Sequence, residues 1–105
     1  MINFKDMMAQ AQQMQFKMQE MQAKFEDIDV NGESGAGMVK VVMDCTGVVK
    51  SIDIDPSVMD EKDVLEDLIV AAVNHAGEAK EARIKEETES MVKALGLPAD
   101  AKLPF

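Results

Sequence analysis

Residues 28–55 read IDVNGESGAGMVKVVMDCTGVVKSIDID, and in this stretch the hydrophobic rhythm of the chain becomes two. Ile28 and Val30 alternate with Asp29 and Asn31. Val39, Val41 and Met43 alternate with Lys40, Val42 and Asp44, and Val48, Ile52 and Ile54 alternate with Val49, Ser51, Asp53 and Asp55. Side chains of a strand point to opposite faces in turn, so this pattern predicts three short strands with one apolar face. The connections are Gly32-Glu33-Ser34-Gly35-Ala36-Gly37 and Cys45-Thr46-Gly47. Both are long enough for hairpins and too short for the dozen-residue crossover that parallel strands need. The expected sheet is a three-stranded antiparallel meander.

On either side the rhythm is helical. Phe4, Met7, Ala11, Met14, Met18, Met21, Phe25 and Ile28 are spaced alternately three and four apart, a heptad seam whose intervening positions are rich in helix-forming Gln. The seam implies core packing against a helix of the same chain or of a second copy. Beyond the sheet, Asp55-Pro56 stops the third strand, and Asp60 followed by Asp63 suits a helix start, where carboxylates favour the positive end of the helix dipole. Val64, Leu65, Leu68, Ile69, Ala72, Ala76 and Ala79 then form an apolar face whose alanines would admit another backbone closely. Gly96-Leu97-Pro98 ends the pattern. The expectation is one α+β domain over 1–105: helical arm 1–27, sheet 28–55, long helix 60–95 and tail 96–105.

Composition narrows the function classes. With 47% hydrophobic residues, 105 residues suffice for a modest core, but there is no Trp or Tyr, only four Phe and as many as ten Met. Flexible thioethers repack readily, which suits an interface. The lone Cys45 allows no internal disulfide, no signal peptide is visible at the N-terminus, and no apolar run reaches the length of a membrane helix, so a reduced cytoplasmic setting is expected. The net charge of −9 opposes polyanions, yet it is unevenly spread. Residues 1–25 carry three Lys against two acids, 26–67 three Lys against twelve acids, and 68–105 five bases against six acids.

Catalytic and ligand-binding chemistry finds little support. The glycine-rich 32–37 segment lies between strands and lacks the Gly-Lys-Ser/Thr ending of a phosphate loop, so it reads as a hairpin turn. Cys45 and His75 fall in a turn and inside a helix with no third group to orient them. Asp53, Asp55, Asp60, Glu61 and Asp63 are interrupted by Pro56 and lack the Gly and terminal Glu of a calcium loop. No enzyme, metal, cofactor or small-molecule substrate is expected, which leaves nucleic-acid binding and protein assembly.

Specific words then matter: Ala9-Gln10-Ala11-Gln12-Gln13-Met14-Gln15, Gly32-Glu33-Ser34-Gly35-Ala36-Gly37-Met38-Val39-Lys40-Val41, Ile54-Asp55-Pro56-Ser57, Leu65-Glu66-Asp67-Leu68-Ile69-Val70-Ala71-Ala72 and Leu103-Pro104-Phe105. Over essentially the whole chain these resemble the YbaB/EbfC nucleoid-associated family. The resemblance implies a tight homodimer with paired sheets and helical arms projecting like tweezers. It also implies DNA binding that alters DNA conformation, a nucleoid location and no cofactor. The acidity departs from what DNA favours, so binding is expected to be weak and steeply salt dependent.

The least repulsive surface for phosphate is the arms, where Lys5, Lys17, Lys24, Lys80, Arg83, Lys85 and Lys93 stand. No base-reading motif or aromatic platform is visible, so contacts should go to phosphate and groove shape. Phe4, Met7, Met14, Met18, Met21, Phe25, Leu68, Ala72 and Ala76 are the expected dimer and arm packing residues. The alternative is an acidic interaction module that clamps a protein partner through its Met-rich arms.

Overall fold

A computed structural model describes residues 3–94 and 96. Asn3 starts the first helix: its side chain accepts the Lys5 N–H at 3.2 Å, and α1 runs from Phe4 to Asp27. Three strands follow, β1 (Asp29–Ser34), β2 (Val39–Asp44) and β3 (Val49–Ile54), all antiparallel and in spatial order β1-β2-β3. A short 3-10 turn, Pro56–Val58, leads to α2 (Lys62–Ala94). The expected order of helix, meander and long helix is therefore the observed one. The second helix begins two residues after Asp60, because Asp55 first caps the intervening turn by accepting the Ser57 N–H at 2.8 Å. Gly96, at φ 71° with its N–H on the Lys93 carbonyl, follows the helix end; the rest of the 96–105 segment lies outside the described residues.

Directly opposed residues of an antiparallel pair share a face, and the register pairs Val30 with Met43, Gly32 with Val41, and Val41 in turn with Ile52. Val30, Val39, Val41 and Met43 are buried under α2, each worth about 1.5–3 kcal/mol of burial. A bulge between Val42 and Met43 advances β3 by one residue, so Val49 rather than Lys50 faces Met43. The helix covers β1 and β2 but leaves β3 bare: Val49 and Ile52 remain 39% and 43% exposed on the sheet's inner side.

The Gly32–Gly37 segment divides differently from the expectation that it is all connection. Gly35, Ala36 and Gly37 make the turn, each in the left-handed region at φ 58°, 55° and 88°. Gly32 instead lies inside β1, where the strand touches the helix. A Cβ on Gly32 would sit 2.3 Å from the Ala76 nitrogen and 2.4 Å from the Ala72 carbonyl oxygen. Ala72 and Ala76, one helical turn apart and fully buried, thus admit a close backbone as expected, but that backbone is the chain's own β1 rather than a second copy's or an arm's. Leu68, also expected at a dimer or arm contact, packs against the same core and its carbonyl accepts the Ser34 hydroxyl.

Helix lengths create the arm. At 1.5 Å per residue, α1 spans about 36 Å and α2 about 50 Å, whereas six-residue strands span about 20 Å. The excess helix has no sheet to lie on and extends the described molecule to 70 × 21 × 17 Å.

Candidate nucleic-acid interface

The arm is an antiparallel pair made by α1 and the last third of α2. Its base is hinged on Cys45, whose N–H donates to the carbonyls of Phe25 and Ile28, both at 3.0 Å, tying the end of α1 to the β2–β3 turn. That turn is held by the buried Asp44 carboxylate, which accepts from the Thr46 hydroxyl, the Thr46 N–H and the Val48 N–H. The Thr46 hydroxyl above all keeps Asp44 below the ordinary carboxylate range. Burial pushes the Cys45 thiol up, away from the reactive thiolate, against the opposing pull of Arg83. His75 lies elsewhere, at the edge of β1, where Nδ1 accepts the Glu33 N–H at 3.0 Å. Cys45 and His75 therefore satisfy backbone at two different places, and the structure does not bring them together.

Moving out along the arm, the heptad seam loses its cover. Phe25 and Met21 are buried, Met21 facing α2 near Met91; Met18 and Met14 are half-buried; Met7 and Phe4 are 54% and 75% exposed. The inner half of the seam thus finds its partner in α2 of the same chain. A shallow groove between the helices is lined by Lys17, Glu20, Met21, Lys24, Glu87 and Met91.

The seven candidate cations are strung from the β2–β3 turn outward along the helices rather than gathered in one patch. Lys5 is exposed at the start of α1, and Lys80 lies by Gly47 of the β2–β3 turn, pairing with Glu81 at 3.3 Å. Lys17 pairs with Glu20 at 3.5 Å. Lys24 and Arg83 converge on one carboxylate, Glu87, at 2.7 and 3.1 Å. Lys24 above all, with Arg83, keeps Glu87 in its charged form below the ordinary range. Lys5, Lys85 and Lys93 make no ion pair among the described residues. In contrast, the sheet region is acid-rich, and there Lys50 is held by Asp29 at 2.7 Å. The role of Glu87 escaped sequence reading: its i,i+4 spacing from Arg83 is legible, but the pairing with Lys24, 63 residues away, exists only after α1 folds back along α2.

Along this elongated helical pair cations and carboxylates are nearly balanced, whereas the sheet and the start of α2 carry an excess of acid. A family model for the YbaB/EbfC DNA-binding family matches residues 1–95. The chain belongs to the YbaB/EbfC family. This is a family of DNA-binding, nucleoid-associated proteins. Among solved structures, a crystal structure of an uncharacterized protein from Helicobacter pylori superposes with a TM-score of 0.77 at 23% sequence identity, covering 88% of this chain and 99% of the other. At that identity the likeness shows the fold, which this YbaB/EbfC chain shares. No helix among the described residues is long and apolar enough to cross a membrane.

Proposed function

We propose that the chain, as a single domain over 1–105, works as a homodimer that binds DNA along its helical arms and alters DNA conformation, serving nucleoid organisation and gene regulation in the cytoplasm. The observation that carries this reading is the family match across residues 1–95. Supporting it is the placement of Lys5, Lys17, Lys24, Arg83, Lys85 and Lys93 along the helices away from the acidic start of α2, with Lys80 at the base beside the β2–β3 turn. Contacts go to phosphates and groove shape without sequence readout, and the reading calls for no cofactor, membrane or small-molecule substrate. Dimerisation is supported by apolar surface that one chain leaves uncovered, Val49 and Ile52 beside the bare edge of β3. Sedimentation equilibrium should return about twice the 11.5 kDa chain mass.

A second reading draws on one observation. Phe4, Met7, Met8 and Phe16, all at least half exposed, make the free part of α1 suited to clamping a protein partner through a Met-rich surface. Fluorescence polarisation of labelled duplex DNA at low and physiological salt separates the two. Binding at low salt that falls steeply as salt is added supports the DNA reading, and absence of binding at low salt transfers the arm to a protein partner.

A further inference from the structure

Of the seven candidate cations, Lys24 and Arg83 share a single counterion, and that counterion is less accessible than either. The side chains of Lys24 and Arg83 are 55% and 45% exposed, whereas Glu87 beneath them is 14% exposed. A phosphate approaching the arm therefore meets the two cations first and finds half of their charge already balanced from below. We propose that Glu87 is an internal competitor for phosphate, a residue that sets the DNA affinity of the arm by occupying Lys24 and Arg83. The inference rests on the reading that the arms bind DNA.

The physical basis is that a carboxylate and a phosphate oxygen make the same charge-assisted hydrogen bonds to ammonium and guanidinium groups. Glu87 takes one bond from Lys24 Nζ at 2.7 Å and one from Arg83 Nε at 3.1 Å, so the donors nearest the groove point inward. Both cations keep further donors, but part of their charge is already engaged by Glu87, so a phosphate gains less at this pair than at two free cations. The bridge also fastens α1 to α2 across 63 residues of sequence, so strong DNA binding at these two cations comes at the expense of a contact that shapes the arm.

The test is a double-mutant cycle read by fluorescence polarisation with labelled duplex DNA across a salt series. Glu87→Gln removes the competitor and keeps helix propensity; Glu89→Gln, on the same helix and without an ion pair among the described residues, removes the same net charge and is the control. Glu87→Gln should tighten binding several-fold more than Glu89→Gln and steepen the slope of log K against log salt by up to about 0.9 for each phosphate newly neutralised. With Lys24→Gln and Arg83→Gln already in place, Glu87→Gln should give no more than the control's effect. Conversely, Lys24→Gln with Arg83→Gln should cost more DNA affinity in the Glu87→Gln protein than in the unmodified one, an outcome that stands even if the lost bridge lowers thermal stability. Equal effects of Glu87→Gln and Glu89→Gln, with DNA still bound, overturn the proposal and leave the DNA reading standing. Failure of every variant to bind DNA at low salt overturns both.

Discussion

The base of the molecule and the free end of α1 are built from the same kinds of apolar residue and end in opposite states. At the base, Val39, Val41, Ala72 and Ala76 are fully buried, and β1 runs so close to α2 that only hydrogen fits on Gly32. On α1, Met21 is 8% exposed and Met7, two heptads away on the same seam, is 54% exposed. Periodicity thus determines which face of a helix is apolar, while burial is determined by what lies opposite. Opposite Met21 the chain supplies the end of α2; opposite Met7 the described residues supply nothing.

Gly32→Ala should be the most damaging single change at the base. The added methyl would meet backbone atoms of Ala72 and Ala76, which cannot swing aside as a side chain would. Urea unfolding should show a loss of about 3 kcal/mol, at the upper end of overpacking costs. A loss within about 0.5 kcal/mol, the range of an ordinary surface change, would show that the strand and helix do not approach this closely.

The seam offers a graded pair of substitutions. Met21→Ala removes a buried side chain and should cost about 2 kcal/mol or more, whereas Met7→Ala should stay within about 0.5 kcal/mol. Equal costs at both positions would mean that the free half of α1 is covered in solution as thoroughly as its inner half.

A milder perturbation is acid. Asp44, Asp55 and Glu87 are all held below their ordinary values: Asp44 chiefly by the Thr46 hydroxyl, Asp55 by the Ser57 N–H, and Glu87 by Lys24. A carboxylate whose folded value lies below its unfolded value stabilises the fold above the unfolded value and loses that contribution as pH falls through the folded one. Stability should therefore be level near neutral pH and decline from about pH 4.5 downward, the ordinary values being 4.5 for Glu and 3.8 for Asp. Asp44→Asn should lower the melting temperature at neutral pH and make the acid decline shallower. An unchanged acid profile in that variant would show that the Asp44 carboxylate does not hold the turn.

Most of the fold could be read in the sequence because it rests on local signals. The switch from period 3.5 to period 2 at Ile28, the two short connections and the Asp55-Pro56 stop are each contained within a few residues. What escaped reading depends on distant residues. Gly32 looks like part of a turn beside Gly35 and Gly37, and only the crossing of β1 over Ala72 and Ala76 reveals it as a glycine of close approach. The alanines announced that a backbone would come near without saying whose. Among the cations, Lys24 and Arg83 read as two separate candidates for phosphate until the return of α1 along α2 places both on Glu87.

Whether DNA is held by the cations of the arm rather than by those of the base can be decided with two variants that each remove three positive charges. One replaces Lys5, Lys85 and Lys93 on the arm with Gln; the other replaces Lys40, Lys50 and Lys62 of the sheet and the start of α2. Polarisation titrations across a salt series should show the arm variant binding more weakly, with a slope shallower by up to about 0.9 for each phosphate no longer neutralised, while the base variant stays close to the unmodified protein. Loss of binding in the base variant with binding retained in the arm variant would contradict the assignment of DNA to the arm.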